Sequence, residues 1–243
     1  EHFPPPVKEA YDTIVPGAFK ADLFRYCVLF VRGGVYADMD VLLESHLDSV
    51  VGGDVGFIIP MDEPGSLVGH RHCLWNGLLG SSPGHPFLAR VIELVVNNIR
   101  NKFTSVDYDA MLCPDPVLSV SHTVDMLFTT GPCILGAAVN DVLGRHMQTG
   151  FTEGVIHEGD DDGFLTGKSV ILRQDKNDMG AHRFTLVDGN TIVAATDMPG
   201  YEDRPEQDKK HYSKTRVKAG IYGRDKLYSN DVIADEEIRI RIR

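Results

Sequence analysis

Apolar residues between positions 20 and 32 recur every three to four residues, a spacing that predicts a helix. Two stripes share this spacing: Ala21, Phe24, Val28 and Val31 form one, and Leu23, Tyr26, Cys27 and Phe30 form the other. Gly33-Gly34 should end the helix, because glycine readily adopts the left-handed dihedrals found at helix C-termini. The β-branched and aromatic run at 35–37 then predicts a short strand.

The pattern farther along the chain predicts strands and helices in alternation. Residues 55–59 form an apolar run that ends at Pro60, which is typical of a buried strand. A helical stripe runs from 87 to 103, and Pro86 suits its first turn. The remaining predicted elements are helices at 119–129 and 133–147, a strand at 169–172 and a hairpin at 184–196. This order indicates an α/β protein.

Length and charge limit the function classes that are open to the chain. Its 243 residues, 42% of them hydrophobic, fit one α/β domain with a sizeable core. The net charge of −11 argues against nucleic acid or an anionic membrane surface as the main partner. No window approaches the roughly 18 apolar residues of a transmembrane segment. The lack of a signal peptide and of an Asn-x-Ser/Thr sequon favours the cytoplasm, with the Golgi lumen open if an N-terminal anchor is missing.

The four cysteines, Cys27, Cys73, Cys113 and Cys133, are far apart in the sequence. None of them forms the Cys-x-x-Cys spacing that is typical of zinc sites. The sequence therefore predicts buried thiols rather than zinc ligands or a disulfide framework.

Candidate chemistry begins with two carboxylates at the end of the first predicted strand. Asp38 and Asp40 are two residues apart, so their side chains can point the same way. Convergent carboxylates repel each other unless a cation lies between them, and Mg²⁺ or Mn²⁺ would suit their oxygen ligands. A solvated turn is the ordinary alternative for Asp-x-Asp. The preceding helix favours the metal, because it presents Asp22 and Arg25, three residues apart, on one face.

The whole segment resembles the sugar-binding region of glycosyltransferases that carry a DXD motif. These are the relatives of initiating α-1,6-mannosyltransferases, α-1,4-galactosyltransferases and clostridial glucosylating toxins. Their shared pattern stands here as Ala21-Asp22-Leu23-Phe24-Arg25, Gly33-Gly34-Val35-Tyr36 and Asp38-Met39-Asp40. The resemblance is strong over 18–50, moderate over about 70–135 and thin beyond.

For the fold, the resemblance implies a GT-A-like nucleotide-diphospho-sugar transferase with a central mixed sheet flanked by helices. One domain would cover 1–243, with a donor- and metal-binding core at 1–150 and acceptor-side and C-terminal elements at 151–243. The first β-α unit of the family, which helps to form the nucleotide-base pocket, is expected to be missing. Thr130-Gly131-Pro132 stands where the family often has Thr-Gly-Pro, before a helix beside the donor site.

For the metal, the resemblance implies that Asp40 is the principal direct ligand of Mn²⁺ or Mg²⁺. Asp38 would contact the ion through water, or would contact the ribose and the sugar. Family members often complete the metal shell from a C-terminal segment that contains a histidine. The nearest match is Lys210-His211-Tyr212-Ser213, so His211 is the candidate third ligand. The alternative for His211 is a surface histidine beside two lysines.

For the donor, the resemblance implies that Asp22 and Arg25 bind sugar hydroxyls. The alternative for this pair is an intrahelical ion pair, which is worth only a few tenths of a kcal/mol. Gly34 meets a backbone requirement of the motif, and Tyr36 either stacks near the base or simply packs. Asn76 would contact the donor sugar or the acceptor.

The implied reaction moves a hexose from a nucleotide-diphosphate sugar to a hydroxyl of a glycan, glycolipid or glycoprotein acceptor, with retention. No catalytic nucleophile stands out, and Asp62 and Glu63 are only loosely placed. The first alternative is a haloacid-dehalogenase-like phosphatase that uses Asp38 and Asp40. The second is a non-catalytic domain that binds a nucleotide-sugar or a glycan.

Overall fold

The computed structural model describes residues 2–15, 17–62, 72–101, 117–118, 127–176, 182–186, 188–196, 219–220 and 240. The helices are α1 (Pro5–Thr13), α2 (Gly17–Arg32), α3 (Leu47–Val50), α4 (Pro86–Asn101) and α5 (Pro132–Val142). The strands are β1 (Gly34–Ala37), β2 (Leu42–Leu43), β3 (Val55–Pro60), β4 (Leu78–Ser81), β5 (Val117–Leu118), β6 (Gly154–His157), β7 (Lys168–Lys176), β8 (His182–Thr185), β9 (Ile192–Ala195) and β10 (Ala219–Gly220).

Eight of the described strands form one mixed sheet in the order β1-β4-β3-β7-β8-β9-β2, with β6 beside β7. Strands β3 and β7 are parallel, and the other described pairs are antiparallel. Strands β5 and β10 pair separately. The α/β class and the central mixed sheet flanked by helices are confirmed. Because β7 lies beside β3, the two parts of the chain on either side of residue 150 share one sheet.

The two faces of the sheet bury separate apolar clusters, as the period of two in a strand requires. Phe57 and Ile59 of β3 pack into the larger cluster, with helices α1, α2, α4 and α5. Ile58, between them, points into the smaller cluster, which also contains Val50 of α3 and Phe184 of β8. The buried strand predicted before Pro60 is therefore confirmed. Its side chains serve both layers of the core.

The two apolar stripes of α2 have different environments. Leu23 and Tyr26 are fully buried, whereas Phe24 is 54% exposed and Val28 is 38% exposed. The exposed stripe and α1 line an open apolar groove. The helix predicted from the spacing is confirmed, but the spacing does not show which stripe faces the core.

The prediction for the cysteines is wrong at two positions, because Cys73 and Cys133 form a disulfide. The two residues are 60 positions apart, so their pairing depends on tertiary contacts that spacing cannot show. Cys27 is a free thiol, and burial raises its pKa to about 12. Disulfides persist mainly in oxidising compartments, and this pair runs against the expectation of a cytoplasmic protein. Within the described residues, no helix has the length and apolarity that crossing a membrane requires.

Candidate functional site

The candidate site lies where α2, β1 and the segment before β4 meet. Gly33 and Gly34, with φ of +64° and +97°, reverse the chain after α2, so that β1 returns beside the helix. Strand β1 pairs with β4, and Ala37 lies opposite Leu78. Asp38 and Asn76 therefore extend from the same end of the two strands. Gly34 lies at the other end of β1, away from this cluster.

Arg25 is the centre of the site and is only 6% exposed. Its Nη1 donates to the carbonyl of Asn76 at 2.6 Å. Its Nη2 lies 3.4 Å from Oδ1 of Asp22 and 3.4 Å from Oδ1 of Asp38. The guanidinium also lies over the ring of Tyr36, 4.5 Å from its centroid. The intrahelical pair with Asp22 exists, but Arg25 also joins the helix to β1 and to the segment before β4.

Both carboxylate oxygens of Asp22 accept hydrogen bonds from distant parts of the chain. Oδ1 accepts from Nδ2 of Asn76 at 2.9 Å, and Oδ2 accepts from Oγ1 of Thr130 at 2.8 Å. Burial raises the pKa of Asp22 to about 6. The positive charge of Arg25 and the two hydrogen bonds oppose this effect, and the charge of Asp38 adds to it. Asp22 is therefore a desolvated carboxylate that changes charge close to neutral pH.

Tyr26 links the two residues that hold Asp22. Its hydroxyl accepts a hydrogen bond from Nδ2 of Asn76 at 2.7 Å and donates to the carbonyl of Thr130 at 2.9 Å. Burial raises the pKa of this phenol well above its ordinary value. Sequence reasoning placed Tyr26 only in an apolar stripe. The Thr-Gly-Pro segment marks Thr130 in the sequence, but no local pattern indicates its contact with Asp22.

Asp38 shares its environment with Tyr36, whose hydroxyl donates to Oδ1 of the carboxylate at 2.7 Å. Burial, and then this hydrogen bond, raise the pKa of Tyr36 to about 12. The other oxygen of Asp38 faces Gly77, where an added Cβ would lie only 2.8 Å away. Asp40 follows in the turn that Val41 closes by donating its N–H to the carbonyl of Asp38 at 3.0 Å. Asp38 and Asp40 therefore lie on one tight turn, and the carboxylate of Asp38 lies beside Arg25.

One cluster of soft metal ligands lies elsewhere among the described residues. A ligand atom of His72 lies within 4.8 Å of the sulfurs of Cys73 and Cys133. Because these sulfurs form the disulfide, they are not available as thiolate ligands. His211 lies outside the described residues, so its place in a metal shell stays a prediction.

The structure thus brings together five of the eight residues predicted for the site: Asp22, Arg25, Tyr36, Asp38 and Asn76. It places Asp40 on the adjacent turn and Gly34 at the far end of β1. It adds Tyr26 and Thr130, which complete the hydrogen bonding of Asp22 and Asn76. The roles of all these residues in binding stay predictions.

The sequence of the segment that carries Asp22, Arg25, Asp38 and Asp40 resembles known proteins. Residues 1–55 match the family described as the glycosyltransferase sugar-binding region containing DXD motif. An initiation-specific alpha-1,6-mannosyltransferase of Candida albicans is 25% identical over an alignment of 162 residues that covers 60% of this chain and 40% of that protein. A protein of the same name from Saccharomyces cerevisiae is 44% identical over 164 residues, covering 51% of this chain and 32% of that protein.

A solved structure described as PaToxG Glycosyltransferase covers 52% of this chain and 36% of its own, with 16% identity and a TM-score of 0.34. The chain spans 32% to 40% of the length of the two mannosyltransferases that it matches. The resemblance predicted from the sequence is therefore confirmed: residues 1–55 match the sugar-binding region of glycosyltransferases that contain a DXD motif, and the relatives are named glycosyltransferases.

Proposed function

We propose that the chain is the donor-binding part of a metal-dependent glycosyltransferase. The reaction moves a hexose from a nucleotide-diphosphate sugar to a hydroxyl of a glycan, glycolipid or glycoprotein acceptor. The observation that carries this proposal is the buried network of Asp22, Arg25 and Asn76, which lies beside the carboxylate of Asp38.

This network suits the hydroxyl groups of a sugar, each of which donates one hydrogen bond and accepts others. Asp22 offers a carboxylate that accepts, and Arg25 offers a guanidinium that donates. The contacts of Arg25 with Asn76 and Asp38 hold the guanidinium in place before a ligand arrives. Such preorganisation lowers the entropic cost of binding. The low exposure of the two charged groups also strengthens their hydrogen bonds to a ligand.

The Asp38–Val41 turn fits a hard divalent cation. Mg²⁺ and Mn²⁺ prefer carboxylate oxygens and usually bridge one or two carboxylates to substrate phosphates. One oxygen of Asp38 already accepts a hydrogen bond from Tyr36 and lies 3.4 Å from Nη2 of Arg25. Asp40 would therefore be the direct ligand and Asp38 the indirect one, with His211 as third ligand. When bound, the ion would stabilise charge on the diphosphate leaving group.

The names of the relatives guide the choice of donor. Two relatives are named alpha-1,6-mannosyltransferases, so a mannose donor is the first to test. Retention of anomeric configuration belongs to the proposal only through the resemblance to the family.

The phosphatase alternative is not favoured by the position of the Asp pair. Asp38 follows β1, a four-residue strand that lies at one end of the sheet order and pairs antiparallel with β4. Ligands of open α/β sheets bind at the carboxyl ends of parallel strands, at a topological switch point. A nucleophile of the haloacid-dehalogenase type would need such a place. It would also leave the buried Asp22–Arg25 pair without a role.

A donor panel tests the proposal. The full chain is incubated with UDP- and GDP-sugars, simple hexoside acceptors and Mn²⁺, while nucleoside diphosphate, free phosphate and glycosylated product are measured. Metal-dependent release of nucleoside diphosphate that is lost in Asp40→Asn, and kept in Asp48→Asn, supports the transferase. Asp48 is an exposed carboxylate on α3 and is therefore the matched charge control.

The other outcomes overturn the proposal in different ways. Release of free phosphate would indicate a phosphatase. Donor binding without turnover would indicate a non-catalytic domain. If the chain neither binds nor turns over any donor in the panel, that result would refute a donor site at Asp22 and Arg25.

A further inference from the structure

The Cys73–Cys133 disulfide lies at equal sequence distance from two residues of the candidate site. Cys73 comes three residues before Asn76, and Cys133 comes three residues after Thr130. Both cysteines are buried. Beside the disulfide, the N–H of Leu74 donates to the carbonyl of Pro132 at 3.1 Å. The segments 73–76 and 130–133 therefore run next to each other and are cross-linked at one end.

At their other end, the same two segments meet on Asp22. Asn76 donates to one oxygen of its carboxylate and Thr130 to the other. The hydroxyl of Tyr26 bridges the side chain of Asn76 and the carbonyl of Thr130. Both hydrogen bonds to Asp22 thus depend on the spacing between the two segments, since hydrogen bonds weaken steeply with distance and angle.

We propose that the Cys73–Cys133 disulfide is a positioning clamp, which sets the spacing of Asn76 and Thr130 so that both hold the carboxylate of Asp22. Opening the disulfide weakens the hydrogen bonds of Asn76 and Thr130 to Asp22. Donor binding then weakens while the fold remains. The donor-binding part rests on the proposed function. The geometric part does not, because it concerns contacts within the protein alone.

The packing around the disulfide explains why the fold can persist when the disulfide is removed. Helix α5 meets the backbone at residue 72 so closely that a side chain on Gly136 would collide with the carbonyl of His72. Helices α4 and α5 also share the larger core cluster, which includes Ile92 and Ile134. These contacts hold α5 in the core without the cross-link. The hydrogen bonds at Asp22 are more sensitive, because a small shift breaks them.

The first experiment needs no ligand. The exchange rate of the side-chain amide of Asn76 is measured by NMR in wild type and in the double variant Cys73→Ser/Cys133→Ser. We expect exchange at least about tenfold faster in the double variant, because the bonds to Asp22 and Tyr26 open more often. Cys27→Ser, which removes the free thiol of α2, is the matched control and should exchange as wild type does. Unchanged exchange in the double variant would overturn the clamp.

The second experiment is a double-mutant cycle on the dissociation constant of a nucleotide-sugar with Mn²⁺. Thr130→Val removes the hydrogen bond to Asp22 with little change in shape. If the disulfide acts through Thr130, the loss of affinity caused by Thr130→Val should be at least about threefold smaller without the disulfide. If the losses of affinity caused by Thr130→Val and by removal of the disulfide simply multiply in the combined variant, the two changes are independent. That result would show that the disulfide only stabilises the fold, and would overturn the inference.

These two readouts separate the clamp from the proposed function. If wild type binds no nucleotide-sugar, the proposed function fails, and the exchange of the Asn76 amide still decides the clamp. If the double variant does not fold during expression, the same exchange is measured on reduced wild type after circular dichroism has confirmed its secondary structure. Loss of secondary structure on reduction would show that the disulfide holds the fold rather than the site.

Discussion

The carboxylate of Asp22 makes a quantitative prediction about stability and pH. In the folded protein its pKa is raised from 3.8 to about 6, chiefly by burial. A group whose pKa is higher in the folded state stabilises the fold in its protonated form. Its contribution is therefore fully present below the unfolded pKa and is lost as pH rises through the folded one. Wild type should lose this stability on going from acid to neutral pH.

The perturbation is Asp22→Asn, which cannot titrate. Integrating the two pKa values predicts that the unfolding free energy of the variant, relative to wild type, rises by about 2 kcal/mol from pH ~4.5 to ~7.5. The difference between the two proteins reports chiefly Asp22, because titrating groups away from this cluster behave alike in both. The side chain is only 16% exposed, so solvent screening removes little of this effect.

Urea denaturation at several pH values, with a chelator present to exclude metal, is the assay. Asp48→Asn is the control, because this exposed carboxylate should leave the difference from wild type flat across the range. An NMR titration of the Asp22 carboxyl carbon checks the pKa directly. A flat difference for Asp22→Asn, or one that moves in favour of wild type as pH rises, would refute the raised pKa. Protonation of Asp22 should also weaken donor affinity, by about tenfold on going from neutral pH to about pH 5.

Three substitutions test the rest of the site. Asp40→Asn should abolish metal-dependent nucleotide-sugar binding in calorimetry and leave the fold intact, since it removes one of two neighbouring like charges; unchanged affinity would exclude the metal role. Arg25→Lys should cost at least about tenfold in donor affinity, because an ammonium cannot hold Asn76 and two carboxylates in one plane; near-normal affinity would reduce Arg25 to an ion-pair partner. Gly77→Ala should lower donor affinity several-fold, because its Cβ would lie 2.5 Å from the ring of Trp75 and 2.8 Å from Oδ2 of Asp38. Gly53→Ala, where a Cβ meets nothing within 4 Å, is its control, and equal effects would refute the steric argument.

The local parts of the site could be predicted from the sequence because they depend on local geometry. Asp22 and Arg25 are three residues apart on a helix whose apolar spacing is clear, so their shared face follows from the helical period. Asp38 follows a short strand after two glycines, and the structure places the strand and the turn there. The prediction that Asn76 belongs to the site depends on the resemblance alone. No local pattern indicates that a residue 54 positions after Asp22 donates to its carboxylate.

The parts that escaped prediction depend on distant segments. Tyr26 lies in an apolar stripe, and the pattern accounts for its ring but not for a hydroxyl that contacts a residue 104 positions away. The pairing of Cys73 with Cys133 depends on how α5 packs beside the segment before β4. Spacing rules work for cysteines that are close in sequence, and this pair is 60 residues apart. In each case tertiary packing determines the contact.

The free-energy cost of burying the charges of Asp22 and Arg25 supports a binding role over a structural one. Asp22 and Arg25 are charged and largely buried, and breaking such a pair destabilises a protein, whereas replacing it with apolar residues often does not. A core that served stability alone would therefore gain little from these charges. Burial raises the pKa of Asp22 towards neutrality even though Arg25, Thr130 and Asn76 all favour its charged form. Hydroxyl groups that donate to this carboxylate would add to the same favourable contacts. Binding of a sugar should therefore lower the pKa of Asp22 and stabilise the fold together.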